Sequence, residues 1–218
     1  MKKFLLYLLF FTTLGISNAQ SSLEKMGILL PKELKEWEFI KDHIEANQLF
    51  KNASQVKAFI TKRNEPVKIY VFYKYHPESN INLIPNVTFY IFPNVLPIGD
   101  YPNMVTDFFE KNRAGLKGVK DIVNEVFLNG DVPEYLQHYS YIEPQTINNK
   151  KVDVSVNMVQ ALVFKPDYIL FIDSYEPIEP KFDSPNIYNR RAKEEIVKLI
   201  KEIKITDEVK VTKTTVIE

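Results

Sequence analysis

Apolar and polar residues alternate most clearly in "VDVSVNMVQALVFKPDYILFIDSYEP", residues 152 to 177. The even positions Val152, Val154, Val156, Met158, Leu162 and Phe164 make one apolar row. The odd row opens polar, with Asp153, Ser155 and Asn157, and turns apolar at Val159, Ala161 and Val163. A period of two belongs to a strand. The segment therefore predicts a hairpin turning at Lys165-Pro166-Asp167, with one face buried throughout and the other only toward the turn. A two-residue turn sets Asp173 opposite Gln160, and a three-residue turn sets it opposite Val159. In "IYVFYKY" (69 to 75) and "VTFYIF" (87 to 92) both rows are apolar. A sheet with one wet face would alternate, so this one is expected to be covered on both sides.

Helical periodicity supplies two covers. In "DYPNMVTDFFEKNRAGLKG" the residues Met104, Val105, Phe108 and Phe109 share a side, with Gly118 as the expected stop. Ser184 and Pro185 open a second helix, along which Tyr188, Ala192, Ile196, Leu199, Ile200 and Ile203 recur on one face. Its back carries Lys193, Glu194, Glu195, Lys198, Lys201 and Glu202, a solvated surface. Between these helices, strands are expected near 119 to 128, 134 to 143, 151 to 164 and 168 to 175. Before them, "QVKAFITKR" and "VKIYVFYKY" read as a hairpin turning at Asn64-Glu65-Pro66. Around Trp37 the pattern fits either a helix opening at Pro31 or a short strand from 37 to 40.

Strands and helices do not alternate as a parallel sheet requires. The expected fold is α+β in a single domain: an antiparallel sheet covered by helices on both faces, an α/β/α sandwich over residues 55–205. Residues 20–54 form a lead-in, and residues 206–218 a tail that is either a frayed extension or an edge strand.

In its order of elements the chain resembles the PsbP/DcrB-like superfamily. Exported bacterial members of that superfamily end in a helix running into a short segment like "EEIVKLIKEIKI" at 194 to 205. The hairpin "VQALVFKPDYILFIDSY" is similar to the long penultimate pair of that fold. The resemblance covers most of residues 55 to 205. It implies a bacterial envelope protein, in a superfamily that includes accessory proteins of larger assemblies.

The N-terminus changes where the molecule is expected to work. Lys2 and Lys3 precede an apolar run from Phe4 to Phe11, and Ser17-Asn18-Ala19 closes the segment. Those are the parts of a secretory signal, with cleavage between Ala19 and Gln20. The run is shorter than the roughly 20 residues of a membrane span. Cysteine is absent from the chain, so neither a lipid-bearing cysteine nor a disulfide is available. The expectation is a soluble exported protein, periplasmic or secreted and not a lipoprotein, with no transmembrane segment in the mature chain. Of 28 basic and 28 acidic residues, loss of Lys2 and Lys3 leaves 26 against 28. A balance so close to neutral gives no electrostatic case for nucleic acid.

Candidate chemistry is sparse. No Gly-x-Ser-x-Gly elbow and no Gly-rich phosphate loop is present, so no catalytic residue is assigned. His43, His76 and His138 stand in different elements without helical spacing, so neither a metal site nor a cofactor is expected. The loop "DSYEPIEPKFDSP" holds Asp173, Glu176, Glu179 and Asp183 between prolines, and reads as a solvated connector before a ligand loop. Tyr135, Tyr139 and Tyr141 share a strand face, where they can pack in a core or stack on a ligand. Candidate ligand-binding residues are Tyr135, His138, Tyr139, Tyr141, Asp173, Tyr175 and Glu176.

The function expected is an exported, non-catalytic binding or accessory module whose partner is a protein or another envelope component. A carrier of a small apolar ligand or lipid is the alternative. A hydrolase built on the carboxylates comes third, since it needs two acids facing each other across a cleft.

Overall fold

The computed structural model describes residues 21–40, 68–74, 84–94, 101–147, 149–178 and 193–206. Its elements are α1 (residues 21–25), β1 (Ile28–Leu29), α2 (Lys32–Lys35), β2 (Glu38–Ile40), β3 (Lys68–Tyr73) and β4 (Asn86–Pro93). They continue with α3 (Tyr101–Arg113), β5 (Lys117–Asn129), β6 (Val132–Ile147), β7 (Lys150–Phe164), β8 (Tyr168–Ile178), α4 (Lys193–Lys201) and β9 (Lys204–Ile205). The signal segment with Ala19 and Gln20, His43, the strand expected at 55 to 63, His76, Glu179, Asp183, Ser184 to Ala192 and the tail from 207 lie outside the described residues.

Seven strands form one antiparallel sheet in the order β2-β3-β4-β8-β7-β6-β5, and β1 pairs with β9 apart from it. The period-two reading of the C-terminal half holds strand for strand. Lys165 donates its N–H to the Tyr168 carbonyl at 2.9 Å, which leaves Pro166-Asp167 as a two-residue turn. Of the two registers open at the outset, Asp173 therefore takes the one opposite Gln160. Around Trp37 both alternatives occur in succession: Pro31 is the N-cap of α2, and β2 follows it.

The two faces, called back and front here, are filled differently. On the back, Phe72, Val87, Phe89, Leu136, Val159, Ala161, Val163, Leu170 and Ile172 pack against Leu23, Ile28, Leu34 and Trp37 from one end of the chain and Ile196, Leu199, Ile200 and Ile203 from the other. On the front, Val105, Phe108 and Phe109 of α3 sit on Phe92, Leu162, Ile169 and Phe171. Farther along the front, Tyr139, Tyr141, Val154, Val156 and Met158 form a third cluster. Leu116 and Val119, from the α3–β5 connection and the start of β5, pack against it, and among the described residues no helix contributes.

This corrects the expected α/β/α sandwich. Among the described residues 58% lie in strands and 24% in four helices, so the molecule is mostly β, a large antiparallel sheet. The sequence patterns located α3 and α4, but neither α1, which lies in the expected lead-in, nor how little of the sheet the helices reach. Strands of 11 to 16 residues in β5 to β8 extend well past a 13-residue and a 9-residue helix. A strand advances about 3.3 Å per residue against 1.5 Å for a helix, so equal counts cannot cover equal lengths. A second correction concerns the end of α3. Its C-terminal stop is Gly115, at φ +86°, which allows the left-handed turn that closes a helix. Gly118, at φ +64°, instead opens the irregular start of β5 against Ile142.

The back cover joins both ends of the described chain through Gly27. Thr206 donates its N–H to the Gly27 carbonyl at 2.9 Å, and Gly27 holds φ +77° with Thr206 where a Cβ would stand. Gly27→Ala is therefore expected to lower the unfolding free energy by about 2 kcal/mol, from left-handed strain plus a parted β1–β9 pair. Urea denaturation measures it; an unchanged midpoint would show that the closure of the two ends contributes nothing.

Candidate functional site

Cross-strand neighbours share a face, so the register sorts the seven candidate residues. Tyr135, Tyr139, Tyr141, Asp173 and Tyr175 stand on the front face, while His138, opposite Val159, and Glu176, opposite Asn157, stand on the back. The structure thus places five on one face and two on the other, with Tyr135 in a separate cluster from Tyr139, Tyr141 and Tyr175. Asp173 and Glu176 face opposite ways because they lie three positions apart, an odd offset in a strand.

Most of the tyrosine row is core. Tyr139 and Tyr141 are buried, with ring centroids 6.1 Å apart, and Tyr175 donates its hydroxyl to Glu143 Oε2 at 2.7 Å. Burial pushes all three phenols above their ordinary pKa. Tyr135 differs: it packs edge-on to Phe164 at 6.0 Å and lines an open cleft.

Between the tyrosines runs a polar row. Asn124 on β5, Gln137 on β6, Gln160 on β7, Asp173 on β8 and Thr88 on β4 are successive register partners. Gln137 Nε2 donates to Gln160 Oε1 at 3.0 Å, and Gln160 Nε2 donates to Asp173 Oδ1 at 3.1 Å. Asp173 keeps slight exposure, yet protein atoms crowd its carboxyl. Desolvation raises its pKa to about 6, and the hydrogen bond from Gln160 works against that rise. The amide ladder holds one carboxyl in place. It offers no second acid for hydrolysis, because the cross-strand neighbours of Asp173 are an amide and a hydroxyl.

On the back face, burial and then Lys193 hold the His138 imidazole below its ordinary pKa, and its Nδ1 has no hydrogen-bond partner among the described residues. Glu134, which the sequence reading passed over, is fully buried beside Asn129. Asn129 Nδ2 donates to Glu134 Oε2 at 2.9 Å and to the Ile203 carbonyl at 2.5 Å, and Asn129 Oδ1 accepts the Ile205 N–H at 3.2 Å. This is a structural clasp that ties the end of β5 to the chain leaving α4. Burial raises the Glu134 pKa to about 7, against the Asn129 hydrogen bond and the Lys201 charge.

The cleft beside Tyr135 has a volume of about 280 Å³. Val105 and Phe109 of α3 wall one side, Val126 and Tyr135 form the sheet side, and Arg113 and Asn124 add polar groups. It opens beside β5, the last strand of the sheet. That strand carries every large exposed apolar side chain among the described residues: Ile122 at 46% exposure, Val123 at 43%, Val126 at 61% and Leu128 at 72%. Local pattern carries no warning of this. In "DIVNEVFLN" the even row, Ile122, Val126 and Leu128, is apolar apart from Asn124, while the odd row mixes Val123 and Phe127 with Asp121, Glu125 and Asn129; that is the pattern of a strand with one covered face, and nothing local distinguishes an edge position. No protein-family model matches the chain, and no curated protein matches it significantly.

The two raised carboxyls set a pH dependence. A carboxyl with a folded pKa above its unfolded value contributes stability that is whole below the unfolded pKa and lost as pH rises through the folded one. For Glu134 that window runs from 4.5 to about 7, and for Asp173 from 3.8 to about 6. Unfolding free energy is expected to fall across these ranges. Glu134→Gln should remove up to about 3 kcal/mol of the fall, leaving the variant the more stable above pH 7. Asp173→Asn should flatten the lower part, between pH 4 and 6. Chemical denaturation from pH 4 to pH 8 reads both effects, and parallel curves for wild type and Glu134→Gln would refute the buried-carboxyl account.

Proposed function

We propose that this protein is an exported, non-catalytic binding module that takes its partner by strand addition at β5. The observation that carries the reading is the concentration of exposed apolar side chains on that one strand, at the open end of a seven-stranded sheet. An edge strand presents unpaired backbone N–H and C=O groups, and proteins ordinarily blunt such edges. Here the first half is blunted: the register shifts twice between Lys117 and Val123, and Asp121 takes φ +54°. From Val123 to Asn129 the ladder is regular. That stretch is a ready template for an extended segment, with backbone hydrogen bonds for affinity and alternate side chains for choice of partner.

Export is supported by the basic, apolar and small-residue parts of residues 1 to 19. The carrier reading has less support, because about 280 Å³ open beside β5 accommodates a few side chains and falls short of the usual small-molecule pocket. The described residues contain no helix long and apolar enough to cross a membrane.

Val126→Lys with Leu128→Lys tests the site. Both side chains are solvent-exposed, so the thermal midpoint should hold within about 2 °C. Recovery of specific partners from envelope extracts should fall at least about tenfold, as expected when central apolar contacts are lost. In the wild-type complex, backbone amides of residues 123 to 129 should gain hydrogen-exchange protection. Equal recovery by the double variant, with no added protection in β5, would place the interaction elsewhere.

A further inference from the structure

We infer that the strand received by β5 carries an aspartate or glutamate whose carboxylate seats on Arg113, with an apolar residue an even number of positions away on the same face. The inference rests on the strand-addition reading and adds the chemistry of the partner.

Arg113 is the last residue of α3, and it lines the cleft at the front of β5. Its Nη1 is shut off from solvent and has no hydrogen-bond partner, and the guanidinium makes no ion pair among the described residues. Glu110, one turn earlier on α3, lines the same cleft but is exposed and forms no ion pair with it. A desolvated guanidinium donor left empty is costly. The partner that satisfies it best is a carboxylate, which can take two of its N–H groups at once.

The back of β5 makes no such demand. There Glu125 already receives Lys201 Nζ at 2.8 Å, and the same ammonium lies 5.2 Å from the centre of the Phe127 ring. An incoming segment lies about 4.8 Å outside β5 and turns alternate side chains to front and back. Its front-facing row meets Val126, Leu128 and the cleft walls Val105 and Phe109, then Arg113. Apolar and acidic residues must therefore share one parity along the incoming strand. The back-facing row meets the exposed Val123 and the paired Glu125, and carries no charge requirement.

A random 12-residue peptide display library, panned on the full chain, tests this directly. Wild type, Arg113→Gln, Arg113→Glu and the double lysine variant of Val126 and Leu128 serve as baits, with circular dichroism confirming that each is folded. Wild type should enrich peptides with Asp or Glu at a fixed place and an apolar residue two or four positions away. Arg113→Gln should lose that preference, and Arg113→Glu should exchange it for Lys or Arg. Binding of an enriched acidic peptide should weaken at least about tenfold in Arg113→Gln, the loss expected for one charge-assisted pair. Enrichment without an acidic position, or an acidic preference that survives in Arg113→Glu, overturns the inference and leaves strand addition standing. Equal enrichment on wild type and on the double lysine variant overturns strand addition itself. Selection of sequences like "EVKVTKTTVIE" (208 to 218), or a dimer of the chain in sedimentation that the lysines abolish, would make the occupant the chain's own segment or a second copy, and either result overturns an acidic external partner.

Discussion

The structure depends on β7 and β8 being apolar on both faces at once. Leu162 and Phe171 point to the front while Val163, Ala161, Leu170 and Ile172 point to the back, and all are buried. A strand has only two faces, and burying both requires material from elsewhere in the chain. On the back that material comes from the two ends of the described chain, Leu23 to Trp37 and Ile196 to Ile205, which is why Gly27 and Thr206 meet. On the front it comes from α3 and the connection into β5. The long strands set the demand, and the short helices answer it only in part.

Within that apolar sheet the row Gln137–Gln160–Asp173 is an exception with a definite cost. Amides and a carboxyl out of water must be paired, and two hydrogen bonds of 3.0 and 3.1 Å pair most of this row. Such a row also opposes slippage. A shift of one residue between β7 and β8 would turn Asp173 against Val159 or Ala161, leaving the carboxyl with no donor. Gln160 therefore acts on register as much as on stability, and the bridge it makes to Asp173 gives a polar residue a structural reason to stand in the core.

The same sheet that closes at its centre stays open at β5. There Asn129 and Glu134 clasp the end of the strand to the chain leaving α4, while Val126 and Leu128 stand in solvent beside an arginine that has no ion-pair partner among the described residues. Under the proposed strand addition, a strand clasped in this way, with an apolar outer row and a charge at hand, would lose little order on receiving a partner.

Local periodicity was enough to place β3 to β8, the buried faces of α3 and α4 and the two permitted partners of Asp173, because strand and helix periods are properties of neighbouring residues. The same reading put Tyr135, Tyr139 and Tyr141 on one face. What it could not reach were quantities defined between distant segments. How far each helix extends over the sheet overturned the expected sandwich; the burial of Tyr139 and Tyr141 and the parting of Asp173 from Glu176 across the sheet reshaped the candidate site. The position of β5 decided the rest. "DIVNEVFLN" carries one mainly apolar row, which alternation alone would bury, and only the order of strands in the folded sheet makes it an edge, since burial depends on which strands pair and sequence alternation reports only what each strand would prefer.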